Sequence, residues 1–453
     1  MDVKNTHVLV VGMGKSGIAA AETLLSLGAR VSVYDKKNLD EIESNLVQYF
    51  KNKNAVCYFG EEPCDIETYE LVVVSPGVPL TLDFIEKAKN AGAEIIGEVE
   101  LAWRLGNGKY VAITGTNGKT TTTVLTGEIF KEAGRKTEVV GNVGVAVVKK
   151  AVSAVKDTWM ITEISSFQLE STEEFHPRIS AVLNITPDHM DRHKTMENYA
   201  RTKAKIYQNQ DKNDYFIVNY DDPECYRLKN KCKAIVVPFS RKETLDFGCF
   251  VLDGFIVIKD MAGEINKVCS VDELGIPGAH NLENALAATA IAFFSGINLT
   301  VIAKTLRKFE GVAHRLEFCG EIKGVRFVND SKGTNTDASI KALEAIDGKI
   351  VLIAGGYDKG SSFEEFIEAF QGKVKALILL GKTAPIIKEA AEKKGYTNII
   401  MAKNMEECVR EGFRIASAGD TVLLSPACAS WDMYTCFEQR GEHFKSCVTN
   451  LVK

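Results

Sequence analysis

Short apolar runs, each closed by a glycine turn and followed by a helix-length segment, recur along this chain. Residues 8–11 (VLVV) form the first run, GMGKSG turns it, residues 18–27 carry a helical pattern closed by Gly28, and residues 30–34 form the next run. A strand, a glycine turn, a helix and a second strand predict a βαβ start. Runs at 71–74 and 94–96 extend it into a small α/β domain ending near Gly97. The pattern restarts at 110–113, passes through GTNGKTT and continues into a Thr-rich helix over 120–133. Residues 238–269 mix short apolar runs with DFG and LDG turns, which predicts an antiparallel excursion from this larger domain. From about residue 312 the alternation returns as VRFVND, KIVLIAGG, ALILLG, NIIMA and TVLLSP, separated by helix-length segments. A third α/β domain with a mainly parallel sheet is expected. The expected plan is therefore α/β throughout, in three domains: 1–97, 98–311 and 312–453.

Composition narrows the classes. The 453 residues exceed what one hydrophobic core usually supports, and 45% apolar with 25% charged residues is an ordinary globular balance. A net charge of −5 argues against a general nucleic-acid or anionic-membrane surface, so any phosphate binding is local. The eleven cysteines are scattered and odd in number with no CxxC pair, which indicates neither a disulfide framework nor a zinc knuckle. The first residues, MDVKNTHVLVVG, lack a signal segment, and no run approaches the roughly 18 apolar residues of a membrane helix. A cytoplasmic protein working in a reducing compartment, probing neither nucleic acid nor membrane, is expected.

The sharpest chemistry is in Gly115, Thr116, Asn117, Gly118, Lys119, Thr120 and Thr121, between a strand and a helix. Backbone N–H groups of such a loop hold phosphate oxygens, the lysine offers a point charge and the Thr120 hydroxyl is placed for magnesium. The spacing is shorter than GxxxxGK[ST]. Gly12, Gly14 and Gly17 form GxGxxG after the first strand, with Asp35 ending the second. That pattern suits a dinucleotide, the pyrophosphate of another nucleotide, or tight helix packing. Glu163 after a strand is a hard oxygen ligand suited to magnesium, and a histidine such as His189 can add to it. His189 and His193, at i and i+4, lack a third zinc ligand, and His193 reads as a surface or supporting residue. Asn281 is placed to cap the helix after PGAH. Arg315 falls at a domain boundary, while Asp330, Lys332 and Thr334, then Lys359, then Ser425 stand at three strand ends, where α/β sheets place ligands.

In order, GTNGKTT, TEISSFQLE, DHMDRH, KAKIY, GxHNxxN, HRLE, NDSKGTN and SPACASWD with FEQRG resemble the Mur ligases over essentially the whole chain, and the last two most resemble the D-glutamate-adding branch. The resemblance implies a Rossmann-like UDP-substrate domain, a central P-loop ATPase domain and a C-terminal Rossmann-like domain for the amino acid. It implies ATP-dependent joining of D-glutamate to UDP-N-acetylmuramoyl-L-alanine through an acyl phosphate, in peptidoglycan precursor synthesis, by a monomer. It implies two Mg2+ ions and a CO2-derived carbamate on Lys203, with Thr120, Glu163 and His189 as further metal ligands and Lys119 as a catalytic residue. Asn281, Arg315 and Asp330 join the loop around ATP. Gly14, Lys15, Ser16, Asp35, Lys36, Ser75, Pro76, Gly77, Asn142 and Ser165 match the UDP-substrate set, and Lys332, Thr334, Lys359, Ser425 and Phe437 the D-glutamate set. Other readings are a different Mur ligase, a folylpolyglutamate synthetase-like ligase, a nicotinamide-dependent dehydrogenase suggested by the first turn, and a non-enzymatic ATP switch. The last two leave the P-loop or the third α/β segment unexplained.

Overall fold

A computed structural model describes residues 1–276, 278–358 and 362–451. The chain folds as two compact units. One comprises Met1–Ile185, Glu197–Asp272 and Glu283–Leu306; the other comprises Thr186–Met196, Glu273–Leu282 and Arg307–Lys453.

The first unit holds two sheets. Strands β1 (His7–Val11), β2 (Arg30–Asp35), β3 (Val56–Phe59), β4 (Leu71–Val74) and β5 (Glu94–Gly97) pair in parallel in the order β3-β2-β1-β4-β5. Continuous apolar runs suit strands covered on both faces, and β1 and β4 are buried over nearly their whole length. The helix Lys15–Ser26 follows β1 through a turn in which Gly12 has φ +88° and Gly17 approaches so closely that a Cβ there would lie 1.8 Å from the Gly12 carbonyl oxygen. Both glycines are thus required by geometry, whichever ligand the turn serves.

The second sheet has nine strands: β6 (Lys109–Thr114), β7 (Thr137–Gly141), β8 (Trp159–Glu163), β9 (Ile179–Val182), β10 (Tyr215–Asn219), β11 (Ile235–Ser240), β12 (Gly248–Leu252), β13 (Phe255–Lys259) and β14 (Ile265–Ser270). Their order is β14-β13-β12-β11-β10-β9-β6-β8-β7. The antiparallel part is β12–β14; β11 pairs in parallel with both β10 and β12, so the excursion begins later than residue 238.

The other unit contains β15 (Glu317–Ile322), β16 (Val325–Asn329), β17 (Ile350–Ala354), β18 (Val374–Leu379), β19 (Ile399–Met401) and β20 (Thr421–Leu424), in the order β15-β16-β20-β17-β18-β19. Only β15 is antiparallel. Two apolar layers cover the sheet, one built around Phe366, Leu352 and Leu377 and the other around Phe327, Ile378 and Phe444. Among the described residues no helix is long and apolar enough to cross a membrane.

Within the first unit, Glu98 opens the helix Glu98–Leu105 and is 2% exposed. One carboxylate oxygen accepts from the Val148 N–H at 2.7 Å, and the other has no hydrogen-bond partner among the described residues. Burial pushes this carboxyl up from 4.5 to about 7. A raised carboxyl favours the fold fully below its unfolded value and loses that contribution as pH climbs through the folded one. Glu98→Gln does not titrate. Urea unfolding from pH 4.5 to 8 should show stability shifting in favour of the variant relative to wild type, by up to about 3 kcal/mol. A difference that is independent of pH would contradict the burial argument.

Candidate active site

The glycine loop spans the gap between β6 and the helix Lys119–Glu132. Gly118 has φ +81°, and a Cβ there would meet Asn284 Oδ1 at 2.2 Å, so the loop can close against that side chain only with glycine. Asn184, just beyond β9, clasps the loop. Its carbonyl accepts from Thr116 N at 3.0 Å, its Oδ1 accepts from Asn117 N at 2.8 Å, and its Nδ2 donates to Asn117 O at 3.1 Å. The Thr116 hydroxyl lies 3.3 Å from the Tyr199 hydroxyl.

Two lysines converge here. Lys119 Nζ donates to the carbonyls of Gly115 at 2.9 Å and Thr116 at 2.7 Å. Lys203, only 1% exposed, donates to the same Gly115 carbonyl at 2.9 Å, and its ammonium lies 4.5 Å from the Tyr199 ring centre. The helix Met196–Ala204 achieves this by placing Tyr199 and Lys203 one turn apart on its buried face.

Glu163 ends β8, 1% exposed, and accepts from Thr120 Oγ1 at 2.7 Å and Asn142 Nδ2 at 2.9 Å. Asn142 reaches it because β7 and β8 run in register with Gly141 opposite Glu163. Gly141 has φ +106° and leaves no room for a side chain, since a Cβ would sit 2.2 Å from the Glu163 carbonyl oxygen. A buried carboxylate beside a threonine hydroxyl is a hard oxygen donor set that fits magnesium. Ser165, expected at the substrate, caps the helix Ser166–Glu170 and forms a reciprocal capping box with Gln168. Thr121 is buried in the first turn after the loop.

The first sheet has its own cavity, about 580 Å³, at the carboxyl ends of β1, β2 and β4. Gly14, Lys15, Ser16, Asp35, Lys36, Ser75, Pro76 and Gly77 all line it; Asn142 and Ser165 do not. Asp35 accepts from the backbone N–H groups of Met13 (2.7 Å) and Lys37 (3.0 Å), and Ser75 Oγ donates to Gly12 O at 2.7 Å. Tyr34 and Phe84 meet edge to face at 5.0 Å and form an apolar wall.

In the other unit, Asp330 is wholly buried after β16, takes Ser425 Oγ–H at 2.8 Å and lies 3.6 Å from Arg315 Nη1. Burial pushes its carboxyl up to about 6 although Arg315 pulls the other way. Residues expected in two sets, Arg315 and Asp330 with ATP and Ser425 with glutamate, thus form one network. The Lys332 ammonium lies 5.0 Å from the Phe437 ring centre, and Thr334 N donates to Lys332 O. Arg440 was not singled out, although it stands in FEQRG; it is 2% exposed and donates to Ser331 Oγ, Ser331 O and Cys428 O. His189 takes φ +55° before the short helix Met190–His193, with Nε2 3.6 Å from Asp188 Oδ2. Two expectations are corrected. Of the two readings of His193 the surface one fails, because the residue is buried, and Asn281 lies inside the first turn of the helix Ala279–Phe294, two residues past its start, so it does not cap it. Lys359 lies outside the described residues.

Three family descriptions match consecutive segments: the MurD-like N-terminal domain of Mur ligases over residues 6–97, the Mur ligase middle domain over 113–292 and the Mur ligase glutamate ligase domain over 314–428. A UDP-N-acetylmuramoylalanine–D-glutamate ligase of Thermoanaerobacter sp. (strain X514) is 51% identical over 100% of both chains, and one of Clostridioides difficile (strain 630) is 49% identical over the same shares. Among solved structures, UDP-N-acetylmuramate-alanine ligase of Thermotoga maritima superposes with a TM-score of 0.61 at 18% identity, covering 98% of this chain and 99% of that one. A pseudomurein peptide ligase type C of Methanothermus fervidus gives 0.59 at 18% identity, covering 99% and 100%. The structural likeness bears on the fold, and the end-to-end identity with the curated relatives carries the assignment: this chain belongs to the Mur ligase family.

Proposed function

We infer that the chain joins D-glutamate to UDP-N-acetylmuramoyl-L-alanine at the expense of ATP, in peptidoglycan precursor synthesis. The observation that carries this reading is 51% identity along the full length of a ligase of that name. Residues 1–97 would take the UDP substrate, 98–311 ATP and 312–453 the amino acid. The cavity lined by Lys15, Asp35 and Ser75 has the polar and apolar walls that a uridine nucleotide needs.

A carboxylate is a poor electrophile, so the alanyl carboxylate attacks the γ-phosphate of ATP, ADP leaves, and an acyl phosphate results. Lys119 sits with its ammonium at the loop carbonyls and would swing to the phosphates, while backbone N–H groups of the loop and helix start hold them. The D-glutamate amine then attacks the acyl carbon, and phosphate leaves as the amide forms. Magnesium, when bound, would offset phosphate charge, with Thr120 and Glu163 as its holders. Lys203, after its ammonium gives up one proton, would react with CO2 as the free amine, forming an N–C bond and releasing a second proton, to give an anionic ligand for a second ion. Its near-complete burial beside a carbonyl supports this, because an anion for the metal replaces a buried cation. Arg315, Asp330, Ser425, Lys332 and Phe437 would serve the amino-acid end, joined by Arg440 as a positioning residue.

Phosphate release should require ATP, UDP-N-acetylmuramoyl-L-alanine and D-glutamate together. A preference for L-lysine, diaminopimelate or a folate acceptor would overturn the substrate assignment. Lys203→Arg keeps the charge but cannot form a carbamate, and it should lose most turnover; wild type should lose activity in CO2-depleted buffer and recover with bicarbonate. An active arginine variant would exclude the carbamate. Asn184→Ala removes the side-chain clasp on the loop and should raise KM for ATP about tenfold or more, since two hydrogen bonds at roughly 1 kcal/mol each are lost. Steady-state kinetics with unchanged KM for ATP would show that the clasp does not position the loop.

A further inference from the structure

The second unit carries a donor cluster that none of these steps uses. The helices Met405–Ile415 and Phe437–Asn450 pack together, and their seam presents Glu406, His443 and Cys447, whose ligating atoms all lie within 4.8 Å of one another. His443 and Cys447 stand four residues apart on one helix face, and Glu406 faces them from the neighbouring helix. Nε2 of His443 is 2.8 Å from Glu406 Oε1, and Nδ1 is 2.9 Å from the Tyr434 hydroxyl. The cluster opens to solvent at the exposed Glu406. It is closed at the other end, where Cys447 joins Met405, Cys408, Val409 and Phe444 in the core.

We propose that Glu406, His443 and Cys447 form a site for a divalent cation of the zinc class, with its fourth position open to water. One sulfur, one imidazole nitrogen and one carboxylate oxygen suit zinc, which accepts all three; magnesium does not take thiolate, so the site is chemically distinct from the phosphate loop. Neighbouring ligands around tetrahedral zinc sit roughly 3.5 Å apart. The 2.8 Å pair therefore opens slightly, and any wider pair, none beyond 4.8 Å, closes by at most about 1.3 Å. Tyr434 supplies the outer partner that fixes a ligating imidazole, with Nδ1–H donating to its oxygen and Nε2 left for the metal. Binding breaks the Cys447 S–H bond, forms the S–metal bond and releases that proton to solvent. The histidine only moves its proton from Nε2 to Nδ1. Glu406 is already held below the usual carboxylate range, first by its own backbone N–H and then by His443. Occupancy would staple together two helices of which one begins at Phe437 and carries Arg440.

The test uses the full-length, metal-free protein in excess magnesium, titrated with Zn2+ against a chromophoric chelator, and with Co2+ to read thiolate-to-metal charge transfer. Wild type should bind one equivalent of Zn2+, show the charge-transfer band with Co2+ and unfold at a higher temperature with Zn2+ present. Cys447→Ser and His443→Gln should weaken binding at least tenfold, with Cys447→Ser abolishing the band, while Cys64→Ser, at an exposed thiol, should change neither. Where either core variant fails to fold, Glu406→Gln decides, because its side chain is on the surface, and it too should bind at least tenfold more weakly. Absence of stoichiometric binding to wild type, or unaltered affinity in Glu406→Gln or in the folded core variants, overturns the site.

Discussion

The carbonyl oxygen of Gly115 accepts two ammonium groups, from Lys119 and Lys203, both at 2.9 Å. Like charges drawn to one acceptor in a partly desolvated place repel, and in low dielectric that repulsion grows. An arriving polyphosphate relieves it, as would conversion of the buried lysine to an anion. The loop around this oxygen is correspondingly inflexible in sequence. Gly118 is fixed by Asn284, the two residues before it are pinned by Asn184, and Gly141 on the neighbouring strand is fixed by Glu163. The electrostatic arrangement and the steric one thus require the same backbone path.

Parallel strands explain why these groups meet. β6, β8 and β9 lie side by side and run the same way, so the glycine loop, Glu163 and Asn184 emerge at one edge although the loop is 43 residues from Glu163 and 67 from Asn184 in sequence. β1, β2 and β4 do the same for Gly14, Asp35 and Ser75. In each sheet the fold contributes mainly position, and the chemistry is carried by the few residues after each strand.

This division also separates what the sequence disclosed from what it did not. Turns and strand ends are local, so the glycine loop and eight of the residues lining the first cavity were legible from spacing and family resemblance. Asn184 and Tyr199 act through hydrogen bonds to a loop 67 and 83 residues away, and neither carries a local pattern. β3 and β15 were unremarked because both are half-exposed edge strands, β3 only four residues long and β15 broken by two glutamates and a glycine. Asp330 and Ser425 were placed in different sets because β16 and β20 are distant in sequence; their pairing, with Asn329 opposite Leu424, sets the two side chains beside each other. Register between non-consecutive strands has no signature in a single chain.

That pairing gives the network in the second unit a property beyond its geometry. Asp330 is wholly buried, and burial outweighs the attraction of Arg315, so its carboxyl titrates near 6 where a solvated one would titrate near 4. Arg315, at 3.6 Å, and the Ser425 hydroxyl, at 2.8 Å, both work against that burial and favour the ionised form. Removing either partner would leave a buried carboxylate short of compensation, so the arginine, the serine and the strand register that brings them together are required at once.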